Sequence, residues 1–246
     1  MTRSSAALFL LCLNKALGAR LNYIPDKIRN INMPKFLAKH RALWSKRDFT
    51  ISVIFGFLTF IASLIANFFS GTYASSRASS SVTDLLLSNL PVVNLDFIFV
   101  EGFAIFAILV TLICLLEPKR IPFVLKTVAL FIFIRAFAVS LTHIGPFPTQ
   151  APIDESRIVD WFNFTGDLFF SGHTGLPFLM TLIFWREKIL RYFFLTVSIL
   201  FACAVLLGHW HYSIDVFAAY FITHTIFHLS KIFFKKDFQR LNETPT

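Results

Sequence analysis

Hydrophobic residues form six long runs along the chain, and most charged residues lie between these runs. The runs cover approximately residues 49–69, 97–116, 121–144, 168–185, 190–208 and 214–234. A helix needs ~17–25 residues to cross the ~30 Å hydrocarbon core of a bilayer, and every run fits that length. Because backbone N–H and C=O groups in lipid must be paired within the chain, the runs predict helices. The pattern therefore predicts an all-α, polytopic integral membrane protein with six transmembrane helices.

The composition indicates the same class of protein. Hydrophobic types make up 56% of the 246 residues and charged types 15%, with a mean hydropathy of +0.67. A soluble domain carries about 25% charged residues, so the composition disfavours a soluble enzyme and excludes a disordered chain and a coiled coil. The net charge is +9. In a membrane protein such an excess marks cytoplasmic segments, so no nucleic-acid partner is expected.

The distribution of Lys and Arg predicts which segments are cytoplasmic. Residues 1–48 hold ten of these basic residues, and the connections after the second and fourth runs and the C-terminal tail are also basic. The other three connections carry at most one each. By the positive-inside rule both termini are cytoplasmic, and those three connections lie at the outer (periplasmic, extracellular or luminal) face. The predicted regions are a basic cytoplasmic segment at 1–48, a six-helix catalytic domain at 49–234 and a cytoplasmic tail at 235–246.

The N-terminal segment and the first connection carry further signals. Residues 1–19 partly resemble a signal peptide, but cleavage there would leave a basic stretch at the outer face, against the charge rule. An uncleaved interfacial helix on anionic lipid and a solvated basic tail are the two remaining interpretations. The serine-rich stretch 70–81 predicts a flexible connection after the first run.

Three charged residues lie inside the second and third apolar runs, where a charge costs at least ~2.5–3.5 kcal/mol. Lys126 lies near the inner end of its run, so its amine is predicted to reach the interface. Glu101 lies near the outer end of its run. Arg135 lies in mid-run, where it forms either a cationic wall for an anion or a structural pair with Glu101.

Two polar clusters at the same predicted depth carry the candidate chemistry. The first is residues 166–174, GDLFFSGHT, at the start of the fourth run. The second is residues 209–215, HWHYSID, between the fifth and sixth runs. The first turn of a helix attracts anions, which suits phosphate binding at Ser171, Gly172 and Thr174. His173 in that turn is a candidate acid and base.

The second cluster contains a histidine and a carboxylate at i, i+4 spacing. If the stretch is helical, His211 and Asp215 share a face, and the carboxylate orients the ring as an activated nucleophile. An ordinary hydrogen-bonded pair is one alternative. A zinc site is another, with ligands drawn from His173, His209, His211 and Asp215. A deeper i, i+4 pair in the sixth run indicates packing or helix pairing and consists of His224 and His228.

Together the two clusters resemble the C-terminal half of the sphingomyelin synthases, which are relatives of the type 2 phosphatidic acid phosphatases. The shared pattern is Gly-Asp, then Ser-Gly-His-Thr, then His-Tyr-x-x-Asp-Val followed by Tyr. Its positions here are Gly166, Asp167, Ser171, Gly172, His173, Thr174, His211, Tyr212, Asp215, Val216 and Tyr220. Weaker similarity extends back to Arg135, so the likeness covers roughly residues 90–230.

The resemblance implies transfer of a phosphorylated head group through a phosphohistidine, without a metal or another cofactor. In that family the histidine of the second motif attacks phosphorus, and the histidine of the first motif is the acid and base. Carried over, His211 is the nucleophile, His173 the acid and base, and Asp215 the orienting carboxylate. Asp167 would assist His173, with Glu155 a second candidate for that role. The residues that bind substrate would be Ser171, Gly172, Thr174, Tyr212 and Arg135.

The substrates implied by the resemblance are membrane lipids. Phosphocholine or phosphoethanolamine would pass from a glycerophospholipid to a lipid alcohol such as ceramide or diacylglycerol. Thr165 stands where the synthases have cysteine, and this departure leaves the head group and the acceptor open. Phe170 replaces a proline of the related phosphatases, and this departure favours the synthase-like branch. The alternatives are a lipid phosphate phosphatase or phosphodiesterase with water as acceptor and, less favoured, a non-enzymatic lipid transporter. The oligomeric state is open.

Overall fold

The structure, a computed structural model, describes residues 33–153 and 168–243. The helices are α1 (Met33–Trp44), α2 (Arg47–Arg77), α3 (Phe103–Leu116), α4 (Ile121–Leu141), α5 (Gly172–Ile183), α6 (Lys188–Leu207), α7 (Ser213–Phe233) and α8 (Lys235–Asn242). A π-helical turn at Ile98–Gly102 leads into α3, and a 3-10 turn at Pro118–Arg120 leads into α4. The described residues contain no strand, so the all-α prediction is confirmed. The predictions for residues 1–32, Glu155 and Asp167 lie outside the described residues.

α1 lies in a unit of its own, Met1–Arg47, and the transmembrane bundle lies in the unit Asp48–Thr246. Within α1 the Phe36 ring packs against His40 with 4.4 Å between ring centroids. The division of the chain into a basic segment, a catalytic domain and a tail stays a prediction.

Five helical segments are long and apolar enough to cross a membrane, as expected for an integral membrane protein. They are Arg47–Arg77, Ile98–Leu116, Pro118–Leu141, Lys188–Leu207 and Ser213–Phe233. The fourth predicted run forms α5 instead, and its 12 residues extend only ~18 Å. The count of six spanning helices is therefore not confirmed, because five segments meet the length criterion in the part of the chain that the structure describes.

α5 is short because the residues before it are held outside the helix. Ser171 is its N-cap residue, and the Phe170 carbonyl accepts a hydrogen bond from Arg135 Nε at 2.8 Å. The segment from Ser171 to Glu187, which contains α5, nevertheless extends from one end of the bundle to the other. At one end the Ser171 N–H donates to the Asp215 carbonyl at 3.3 Å, and at the other Glu187 pairs with Arg120 at 2.7 Å. We refer to these as the site end and the opposite end.

Phenylalanine fills much of the bundle core and also covers its outer surface. α5 is the central helix, since eight of its 12 residues are buried. Six phenylalanines of the described residues are almost fully buried, namely Phe49, Phe123, Phe131, Phe170, Phe184 and Phe194. Large apolar side chains are also more than 60% exposed, among them Phe69, Phe137, Phe221 and Ile232. Such an apolar exterior is costly in water and suits contact with lipid.

The prediction of a flexible connection at residues 70–81 is wrong for its first part, because α2 continues to Arg77. Ser70 is buried and donates to the Ala136 carbonyl on α4. The Thr72 and Ser76 hydroxyls bond to carbonyls of the preceding turn of α2. The hydroxyls of these serine and threonine residues thus find hydrogen-bond acceptors within α2 or on the neighbouring helix.

The prediction that the Lys126 amine reaches the interface is also wrong. Lys126 is only 8% exposed, and its Nζ donates to Asp237 Oδ2 and to Ser52 Oγ, both at 2.7 Å. A buried ammonium is stable only with a compensating charge and hydrogen bonds. Here α8 supplies the carboxylate and α2 the hydroxyl, and these partners could not be read from the sequence around Lys126.

Candidate active site

The two polar clusters meet at the site end of the bundle. His173 is the second residue of α5, and His211 lies two residues before α7. The residues that lead into α5 contact both partners, because the Leu168 carbonyl lies 2.9 Å from His211 Nδ1 and the Phe170 carbonyl accepts from Nε of Arg135 on α4. Three segments that are distant in sequence therefore place two imidazoles and a guanidinium in one neighbourhood.

The first turn of α5 offers two backbone N–H groups for an anion. The Thr174 N–H donates to Ser171 Oγ at 3.3 Å, and the Gly175 N–H donates to the Ser171 carbonyl at 3.0 Å. The N–H groups of Gly172 and His173 have no acceptor among the described residues. These groups, with the positive end of the helix dipole, favour a phosphate at this position.

Arg135 packs against the first residue of α5. The side chain is 8% exposed, its Nε donates to the Phe170 carbonyl at 2.8 Å, and its Nη1 lies 3.4 Å from Asn67 Oδ1. A Cβ at Gly172 would lie 3.3 Å from Nε. Glycine at this position therefore lets the guanidinium approach the first turn of the helix, and its positive charge adds to the positive end of the helix dipole.

The His211 ring is hydrogen-bonded at one of its two nitrogens by the described residues. Nδ1 lies 2.9 Å from the Leu168 carbonyl and 3.4 Å from Asp215 Oδ2. Because both partners are acceptors, Nδ1 carries the proton and Nε2 carries the lone pair. Nε2 forms no hydrogen bond with any described residue, and it is the nitrogen that would attack phosphorus. The Leu168 carbonyl was not predictable from sequence patterns, because every residue has one.

Asp215 is fully buried at the third position of α7. Its Oδ2 also accepts from the Tyr212 N–H at 3.0 Å, a shorter contact than the one to His211. Its Oδ1 has no hydrogen-bond partner in the described part of the chain. His211 precedes the helix, so the two residues do not share a helical face as the spacing suggested. Instead the carboxylate caps the helix and reaches back to the ring.

His173 lies in an aromatic environment. Its Nε2 lies 3.1 Å from the Phe99 carbonyl, which makes Nε2 the donor and leaves Nδ1 as the second functional nitrogen. The ring stacks on Phe99 with 3.9 Å between centroids and packs against Phe103 at 4.5 Å. Trp210 in turn packs against Phe99 at 4.6 Å. The candidate acid and base is thus surrounded by apolar surface.

Tyr212 and Asp84 fix the segment that carries His211. The Tyr212 hydroxyl donates to the Gly145 carbonyl at 2.8 Å and accepts from the Val82 N–H at 3.2 Å. Burial raises the pKa of this phenol, and the nearby carboxylates of Asp215 and Asp84 raise it further, so the hydroxyl stays a donor. Tyr212 was predicted to bind substrate, and these contacts give it a structural role as well.

Asp84 is a residue that the sequence analysis missed. Its Oδ2 accepts from the N–H and the hydroxyl of Ser213, at 2.7 and 2.8 Å, at the first residue of α7. Its Oδ1 accepts from the N–H groups of Leu86 and Leu87. Burial raises the pKa of Asp84, but these donors outweigh burial and hold the pKa below its ordinary value. In the sequence Asp84 is one aspartate in a long polar connection, and this feature is too common to predict such a role.

His209 makes separate contacts from His211. Its Nδ1 is 2.7 Å from Thr149 Oγ1, and the residue has a positive φ of 55°. A Cβ at Gly208 would lie 2.5 Å from the Trp210 ring, so this tight turn requires glycine there.

No group of three or more His, Cys, Asp or Glu side chains within residues 33–153 and 168–243 is arranged to hold a metal ion. The zinc alternative therefore has no ligand set among them.

Comparison with protein families identifies the segment that contains both clusters. Residues 165–232 match the family described as PAP2 superfamily C-terminal. This match covers α5, α6 and almost all of α7, and it supports the PAP2 superfamily together with lipid phosphatase or phosphotransferase chemistry. Comparison with curated proteins and with solved structures gave no match. The finer resemblance to sphingomyelin synthases stays a prediction.

Proposed function

We propose that the protein transfers a phosphorylated head group from a glycerophospholipid to a lipid alcohol through a phosphohistidine on His211. One observation carries this proposal: His211 Nδ1 contacts the Leu168 carbonyl and Asp215, and the Ser171 N–H donates to the Asp215 carbonyl, so the turn that leads to His173 lies against the segment of His211. One ring then serves as nucleophile and the other as acid and base.

In the first step Nε2 of His211 attacks phosphorus of the donor lipid. The P–N bond forms, the P–O bond to the diacylglycerol oxygen breaks, and His173 donates a proton to that oxygen. The phosphorylated ring is cationic, and the Leu168 carbonyl and Asp215 stabilise it through Nδ1–H, as a carboxylate does for the histidine of a serine-protease triad. Arg135 and the free N–H groups of α5 bind the non-bridging oxygens.

In the second step the acceptor alcohol replaces the first product. Its hydroxyl gives a proton to His173 and attacks phosphorus, the P–N bond breaks, and the electron pair returns to Nε2 of His211. Water in place of the alcohol would give the phosphatase or phosphodiesterase alternative. The aromatic side chains around His173 favour a lipid alcohol, since they provide apolar surface at the point where the acceptor enters.

A transfer assay tests this proposal directly. Purified protein is incubated with phosphatidylcholine or phosphatidylethanolamine labelled in the head group, with and without ceramide, and the lipids are separated. We expect label in a new lipid that requires the added alcohol. Label only in a water-soluble head group would replace the transferase by a phosphodiesterase. His211→Gln should abolish both products, and His224→Gln, a change at an exposed histidine of α7, is the matched control.

The proposed active site faces the outer side of the membrane, and the segment that contains α5 makes a sixth crossing. This arrangement is supported by the alternation of basic connections and by the path from Ser171 at the site end to Glu187 at the opposite end. In a variant whose three cysteines are replaced, a cysteine at Ser80 should react with an impermeant maleimide from outside, and one at Lys188 should not. The reverse pattern would place the site in the cytoplasm.

A further inference from the structure

A buried ion cluster fixes α8 at the opposite end of the bundle. Asp237 is 4% exposed and accepts hydrogen bonds from Lys126, Ser52 and Arg240 at 2.7–2.8 Å. On the same helix the Phe238 ring packs against Phe123 with 5.2 Å between centroids. Because its inward face is held by charge and by apolar contact, the outward face of α8 is a preformed surface.

A groove of about 660 Å³ lies where α7 ends and α8 begins. Its lining residues are His228, Lys231, Ile232, Lys235, Phe238 and Gln239. The groove combines positive charge with apolar surface, and no carboxylate is among the residues that line it. The Lys231 ammonium lies over the Phe227 ring at 4.9 Å, and neither lining lysine pairs with an acid among the described residues. Ile232 is 70% exposed.

We propose that this groove binds the head group of an anionic glycerophospholipid from the leaflet opposite the active site. The two lysines and the histidine fit a phosphate group, whereas Ile232 and Phe238 fit the glycerol backbone and the start of an acyl chain. Free phosphate would use only the cationic part of this lining. The position at the end of a spanning helix, beside an amphipathic helix with exposed lysines, is where an anionic membrane surface lies.

The groove is separate from the candidate active site. His211 precedes the first residue of α7 and Lys231 lies in its last turn, so ~30 Å of helix separates them. Binding in the groove therefore does not depend on the proposed transfer reaction, and an inactive His211→Ala protein should bind the same lipid.

Native mass spectrometry of the full chain in detergent tests the inference. The probes are dioleoyl phosphatidylglycerol and dioleoyl phosphatidylcholine, which share acyl chains and differ in net charge. We expect preferential retention of phosphatidylglycerol by the native protein and by His211→Ala. The double variant Lys231→Gln/Lys235→Gln should weaken retention by roughly 25-fold, since each lysine near an anionic lipid contributes about fivefold. Arg substitutions at both positions keep the charge and should preserve binding.

The matched control removes two positive charges at the same end but outside the groove, with Arg186→Gln/Lys188→Gln. This variant should retain phosphatidylglycerol as the native protein does. The inference would be overturned by equal retention of the two lipids, by loss in the control that matches loss in the groove variant, or by loss in His211→Ala. Displacement of the lipid by millimolar glycerol phosphate would also overturn it, because the groove would then recognise phosphate without the lipid.

Discussion

Replacing Asp84 with asparagine tests whether the connection between α2 and α3 holds the His211 segment in place. The carboxylate accepts four hydrogen bonds, from the N–H groups of Leu86, Leu87 and Ser213 and from the Ser213 hydroxyl. Asparagine has a single acceptor oxygen, so its side-chain NH2 group, which is a donor, would face at least one buried backbone N–H. Hydrogen bonds to a charged group contribute about 1.5–3 kcal/mol each, and the hydroxyl can reorient. We expect a loss of about 2–4 kcal/mol in the free energy of unfolding.

The assay is equilibrium unfolding in detergent, with transfer activity measured on the same samples. Because the pKa of Asp84 is lowered on folding, its contribution is fully present above the unfolded pKa of ~3.9. The contribution is lost as the pH falls through the lower folded pKa. The difference between native protein and variant should therefore be constant from pH 5 to 8 and shrink only below about pH 4.

The matched control is Asp96→Asn in the same connection. Among the described residues Asp96 Oδ1 accepts only from the Phe97 N–H, at 2.8 Å, and asparagine retains an acceptor for it. This control should change stability by less than about 0.5 kcal/mol, as surface substitutions usually do. A variant at Asp84 that unfolds with the native free energy, or a difference that varies between pH 5 and 8, would refute the reasoning.

Two further predictions concern the packing of the bundle, and both are measured by unfolding in detergent. Lys126→Met leaves the buried Asp237 with fewer compensating groups and should cost about 3–5 kcal/mol, whereas adding Asp237→Leu should recover most of that loss. No recovery in the double variant would contradict this account. Gly175→Ala would place a Cβ 2.7 Å from the Phe131 ring and should cost about 1–3 kcal/mol, whereas Gly56→Ala, with its nearest atom at 3.3 Å, should cost less. Equal effects at the two glycines would contradict it.

Hydrophobic runs predicted most of the fold because lipid imposes one rule on every spanning segment. The runs at 190–208 and 214–234 correspond to α6 and α7 within two residues at each end. The run at 168–185 does not form a spanning helix over its full length, because the backbone carbonyls of its first residues accept hydrogen bonds from Arg135 and His211. Hydropathy measures the side chains and contains no information about these backbone acceptors.

Sequence patterns predicted which residues lie at the candidate site, but they predicted the contacts between those residues less well. The two motifs predicted a shared depth for His173 and His211, and both lie at the site end. The i, i+4 spacing suggested one helical face, but the Asp215 carboxylate reaches His211 from the cap of α7. Asp84 and Asp237 were missed because each has one decisive partner more than 100 residues away, Ser213 for Asp84 and Lys126 for Asp237, and no local spacing indicates such a contact.

The measurement that tests the central proposal most directly is detection of the covalent intermediate. A nitrophenyl phosphodiester of choline has a good leaving group and needs little protonation by His173. We expect the His173→Ala protein to release nitrophenol and accumulate an acid-labile phosphocholine adduct, which mass spectrometry maps to His211. The adduct should be absent from His211→Ala. An adduct on His173 that persists in His211→Ala would contradict the proposed roles.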